Sequence, residues 1–91
     1  MKISFDAAKR EKTRQERGVD FQDAREVFAG RHYSQQSAQE QHNEIRIVTV
    51  GFLQERMVII VWTPRGETHH IISMRKANAR EQRRYAPLFW E

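Results

Sequence analysis

Between Arg75 and Arg84 the chain places five basic residues, Arg75, Lys76, Arg80, Arg83 and Arg84, against one acid, Glu81. Guanidinium forks match the oxygens of phosphate, and a local excess of positive charge attracts polyanions. The stretch just before it, THHIISM, carries His69 and His70, which titrate near neutral pH. Arg65 and Glu67 flank the turn that precedes those histidines, and Tyr85 closes the basic run. These residue types suit holding a phosphate backbone and moving protons beside it. The formal net charge is +4, and residues 1–74 are close to balance, so the excess sits in this one segment. A localised basic patch is an electrostatic footprint of nucleic-acid binding. A solvated helix face, or a surface matched to an acidic protein, would give the same charge count.

With 91 residues, a single domain spanning 1–91 is expected. There is no cysteine, which excludes disulfides, thiolate metal sites and cysteine nucleophiles, and fits a reducing compartment. The first residues, MKISFDAAKREK, hold no apolar run long enough for a signal peptide. No stretch approaches the ~20 apolar residues of a membrane span. A soluble, cytoplasmic protein without membrane contact is expected. His32 and His42 have no metal-ligand spacing with His69 or His70, so neither a metal nor a cofactor is expected.

The elements that must position these residues read as helix, helix, several strands, helix. Asp6 caps a polar first helix over roughly 7–17 that Gly18 ends, with Ile3 and Phe5 as its anchors. Asp20 caps a second helix over roughly 21–29, whose stripe is Phe21, Ala24, Val27 and Phe28. Val19 and Ala24 are placed as a hydrophobic staple, and Gly30 stops the helix. A short strand is expected near 31–35, then a polar loop over 36–43. EIRIVTVGF, MVIIVWT and ETHHIISM follow as strands, joined by LQER and PRGE turns, so an antiparallel meander is expected. The last helix should begin near Ala77. Lys76, Arg80, Arg83 and Arg84 then fall on one stripe, with Ala77, Glu81 and Tyr85 facing the other way. Phe28, Phe52 and Trp62 read as core. Leu88, Phe89 and Trp90 form an apolar tail that should fold back or meet a partner.

The ordered set GV-x-F-x-x-A (Gly18 to Ala24), T-x-R-G (Thr63 to Gly66) and IIS-x-RKA (Ile71 to Ala77), with Phe5-Asp6, Lys9, Gly51, Arg80-Glu81 and Tyr85, resembles the BrnT toxins of bacterial type II toxin–antitoxin systems. The chain departs from the common pattern at Thr13, Glu16, Arg17, Pro64 and His70. The resemblance implies an α+β class: a compact RelE-like domain with two N-terminal helices, an antiparallel sheet of three to four strands and a C-terminal basic helix. It implies a metal-free ribonuclease that blocks translation. It also implies a cognate antitoxin with a ribbon-helix-helix DNA-binding part, compatible with a heterotetramer. DNA would then be met only through the antitoxin.

Metal-free RNA cleavage needs a base for the 2′-hydroxyl, an acid for the leaving 5′-oxygen and cations on the phosphoryl group. The candidates are Arg75 first, then Arg65, His70, Glu67 and Tyr85 in the chemistry, with Lys76, Arg80, Arg83 and Arg84 on the RNA backbone. Neighbours on a strand point to opposite faces, so His69 and His70 cannot both serve one site. A non-enzymatic nucleic-acid-binding module, a degenerate toxin that only binds antitoxin, and a protein-binding adaptor are the competing readings.

Overall fold

The computed structural model describes residues 1–38 and 43–90. The elements are β1 (Lys2–Phe5), α1 (Ala7–Arg17), a 3-10 turn (Phe21–Asp23), α2 (Ala24–Ala29), β2 (Tyr33–Gln36), β3 (Ile47–Leu53), β4 (Arg56–Arg65), β5 (Thr68–Lys76), α3 (Ala79–Tyr85) and a closing 3-10 turn (Ala86–Leu88). The class is α+β. The sheet, however, has five strands in the order β1-β5-β4-β3-β2, and it is mixed. Ile3 and Phe5, expected as helix anchors, belong to β1, which pairs parallel with β5 from Lys2↔Thr68 to Phe5↔Ile71. This corrects the expected three- to four-stranded antiparallel meander. Four residues before a helix cap are too few to show a strand period, and β1 exists only because β5 offers it a free edge.

Local signals place the other elements. The Asp6 carboxylate accepts the Lys9 N–H at 3.0 Å, and Gly18, at φ 70°, turns the chain out of α1. Asp20 caps the 3-10 turn through Gln22, and α2 follows as a separate short helix. The β3–β4 loop is two residues long, Gln54 and Glu55, both at positive φ, as a tight hairpin of this length requires. Polar loop residues 39–42, His42 among them, lie outside the described residues.

Side chains alternate across a sheet, so its two faces hold different residues. On one face Val58, Ile60, Trp62, Ile71 and Met74 pack beneath Val19, Phe21, Ala24, Val27 and Phe28, with Ile3 and Phe5 at the margin. The expected staple partners, Val19 and Ala24, are both buried here. Thr49, fully buried, accepts the Trp62 indole N–H at 2.8 Å and bonds Ser34 at 2.7 Å. Gly51 lets α2 approach, since a Cβ there would lie 2.6 Å from Val27 Cγ1. The other face is only half covered. Phe89 is buried against Val50, Met57, Ile59 and Ala77, with Phe52 and Tyr85 beside them. The apolar tail therefore divides: Phe89 folds back, while Leu88 and Trp90 stay exposed. Arg31 holds it down, donating to the carbonyls of Leu88 and Phe89 at 3.0 and 2.9 Å.

Two features decide where the basic segment goes. The Ala77 N–H still bonds the Met57 carbonyl, and α3 starts only at Ala79, behind an Asn78–Glu81 capping box. Lys76 is thus the last residue of β5, not part of the helical stripe. Its side chain shares the packed face with Val58 and reaches toward Gly18. The second feature is a bulge. Ser73 pairs with Val61 and Ile71 with Trp62, leaving Ile72 as an extra residue on β5.

Candidate functional site

The bulge determines which groups can meet. Arg75 and His70 are five residues apart, an odd number that would put them on opposite faces of a regular strand. The extra residue restores the phase. Arg75, opposite Ile59, and His70, opposite Thr63, both lie on the half-covered face, with Ile72 and Ser73 between them. His69 goes to the packed face, where it stacks on Trp62 at a centroid distance of 3.9 Å.

Arg75 is held from both ends. Its two terminal nitrogens donate to the Glu81 carboxylate at 2.7 and 2.6 Å, and Glu81 also accepts the Asn78 N–H at 2.9 Å. These bonds from Arg75 hold the Glu81 carboxyl down to about 2. The Arg75 side chain is 41% exposed, so it is aimed yet open on one side. Tyr85, on the same helix face as Glu81, lies near enough to raise the Arg75 pKa, behind the larger effect of Glu81. Arg84 acts on Glu81 in turn, while Arg80 and Arg83 are exposed on the far side of α3.

The remaining candidates lie toward the other end of the same face. His70 Nδ1 is 2.8 Å from Ser4 Oγ on β1. Burial pushes the His70 pKa below the usual value, and Arg65 adds to this. Arg65 is tied to Glu44 at 3.1 Å, and Glu67 is exposed in the β4–β5 turn. Five strand positions, one of them bulged, put His70 about 15 Å from Arg75. Arg75, Glu81 and Tyr85 come together; His70, Arg65 and Glu44 form a separate group, and Glu67 stands apart from both in the turn.

Sequence reasoning missed what stands between the groups. Lys9, Lys12, Thr13, Glu16 and Arg17 of α1 face Arg46, Val61, Ile72 and Ser73 across a trough of about 430 Å³. Elsewhere on α1 the charge is neutralised: Arg10 pairs with Asp20 at 2.7 Å and Arg14 with Glu11 at 3.1 Å. Among the described residues, Lys9, Lys12, Arg17 and Arg46 enter no ion pair. The trough residues of α1 recur at i, i+3, i+4, i+7 and i+8, a helical stripe written in polar residues. The same period sought in charge would have found it. Beyond Val48, which pairs with Val61, a second hollow of about 460 Å³ runs between β2 and Tyr85. Among the described residues no group of three or more His, Asp or Glu could hold a metal ion.

A face of this kind, with a clamped arginine at one end and unpaired cations along an open trough, suits a polyanionic chain. Residues 5–81 match the family described as ribonuclease toxin, BrnT, of type II toxin–antitoxin system. The chain belongs to the BrnT family. No curated relative matches it. The matched span takes in Arg75 and Glu81, every trough residue, and the bulge; Tyr85 and the tail lie beyond it. Members are described as ribonuclease toxins, and a type II system implies a protein antitoxin as partner. No helix among the described residues is long and apolar enough to cross a membrane.

Proposed function

We propose that this BrnT chain is a metal-free endoribonuclease of RelE-like arrangement that cuts RNA on the half-covered face of the sheet and so stops translation in the cytoplasm. The observation that carries the reading is Arg75, fixed by a bidentate bond to Glu81 and opening onto the face where the trough lies. In this reading Arg75 takes the charge that builds on the phosphoryl oxygens, since Glu81 holds it in place before substrate arrives. Tyr85, the proton-carrying group beside Arg75, protonates the leaving oxygen or stacks on a base. His70 at about 15 Å serves a different nucleotide, and its depressed pKa keeps it neutral at pH 7. The antitoxin, with its ribbon-helix-helix part, silences the toxin by covering this face, and DNA is reached through the antitoxin alone.

The separation of Arg75 from both histidines on β5 favours a second reading, an RNA-binding protein that blocks translation without cutting. One experiment tests both. Protein synthesis is followed after induced expression of wild type and Arg75→Ala at matched levels, and purified protein is incubated with RNA in EDTA. Arrest by wild type alone, with EDTA-resistant cleavage, supports the nuclease. Arrest without cleavage supports the binder. Arrest by both proteins removes Arg75 from the site, and arrest by neither removes the toxin reading.

A further inference from the structure

The Arg46 Nε–H is shielded from solvent and has no hydrogen-bond partner among the described residues. A buried guanidinium donor without an acceptor is uncommon and costly, and each one asks for an explanation. Three further cations, Lys9, Lys12 and Arg17, converge on the same trough from α1, and Ser73 adds a hydroxyl on its floor. Two carboxylates stand nearby, and Glu44 feels the Arg46 charge behind the larger effect of Arg65. Glu44 is bonded to Arg65, and Glu16, on the trough wall, makes no ion pair among the described residues. The trough lining thus sets four cations, Lys9, Lys12, Arg17 and Arg46, against one carboxylate, Glu16.

We propose that this trough seats a backbone phosphate of RNA, with the Arg46 guanidinium as its anchor and Lys9, Lys12 and Arg17 as the rail that leads the strand toward Arg75. The proposal rests on the ribonuclease reading for the identity of the polyanion. The Arg46 guanidinium lines the trough, and the fork of a guanidinium fits two phosphodiester oxygens. Val61 and Ser73 form the floor, and Arg75 lies two residues beyond Ser73 on the same face, roughly 7 Å along the strand. A chain lying in the trough thus runs past the clamped arginine. The RNA track lies along α1 and Arg46, just before β3, and the stripe Arg80 and Arg83 is not needed for it.

The test measures binding apart from cutting. Fluorescence anisotropy follows a fluorescein-labelled 2′-O-methyl oligonucleotide, whose blocked 2′ position cannot be cleaved. Arg46→Met should raise Kd about tenfold, the value of one charge-assisted bond. Lys9→Ala and Lys12→Ala sit on an exposed helix surface that tolerates substitution. Each should lower the slope of log affinity against log salt by about 0.7. Arg25→Ala, on α2 behind the sheet, changes net charge equally and should leave affinity within about twofold. Unchanged binding by the Lys9, Lys12 and Arg46 variants, or loss carried by Arg80 and Arg83 instead, overturns the proposal. Equal binding of polyglutamate, lost on the same substitutions, overturns it in favour of an acidic protein partner. Cleavage of unmodified RNA separates the two readings. Trough binding without cleavage leaves the seat standing and removes the nuclease; cleavage with an unchanged KM in the trough variants does the reverse.

Discussion

Glu81→Gln tests the joint on which the site depends. The Glu81 carboxylate takes two bonds from Arg75 and one from the Asn78 N–H, and its pKa falls from 4.5 to about 2. A shift of that size corresponds to at most about 3 kcal/mol. The Arg75 side chain is 41% exposed, so solvent screening reduces this to about 1–2 kcal/mol. A carboxyl with a depressed folded-state pKa contributes stability that is full above its unfolded value of about 4.5. That stability is lost as pH falls toward 2. Urea unfolding at pH 7 should therefore show Glu81→Gln less stable by about 1–2 kcal/mol, and the gap should shrink by more than half by about pH 3. Asp20, also held down to about 2 by Arg10, titrates in both proteins and cancels in the difference. RNA cleavage should fall as well, because the unclamped arginine must be ordered by the substrate. A gap that is absent at pH 7, or constant down to pH 3, would refute the reasoning.

Three further outcomes are expected. Gly51→Ala drives a Cβ to 2.6 Å from Val27 Cγ1 and 3.3 Å from His32 Cβ, so it should destabilise by about 1–3 kcal/mol in thermal unfolding. Phe89→Ala removes a buried ring that meets Tyr33 and Phe52 edge-on at 5.0 and 4.9 Å, and should cost about 3 kcal/mol; a loss under about 0.5 would mean the tail is a free arm. His69, stacked on Trp62 and edge-on to Phe28, has its pKa lowered mainly by burial, so its stabilising effect is full above about 6.5 and is lost on acidification. Replacing it by Phe should flatten the stability profile between pH 7 and 5, measured by urea midpoints.

Much of the fold was legible because it is written locally. Asp6, Gly18, Asp20 and Gly66 mark element ends by side-chain or backbone chemistry that acts within a few residues. The apolar stripe of Phe21, Ala24, Val27 and Phe28 and the doubly apolar MVIIVWT announce burial wherever they fold. The ordered motifs from Gly18 to Ala77 were enough to point to the family that the matched span bears out. Arg75 stood out by type and place, at the boundary between an apolar strand and a basic run.

The remainder depends on pairing across the chain. Strand β1 is four residues that acquire a partner 66 positions away, and no local period announces it. The Asn78–Glu81 box moved the helix start by two residues, which was enough to send Lys76 to the packed face. The charge count of the basic segment was correct, but Glu81 neutralises Arg75, and the unpaired cations of the trough come instead from α1 and from Arg46, just before β3. Composition determined that this protein carries a positive excess; one bulged residue, Ile72, decided that Arg75, Ser73 and His70 share a face, because alternation along a strand changes phase with every inserted residue.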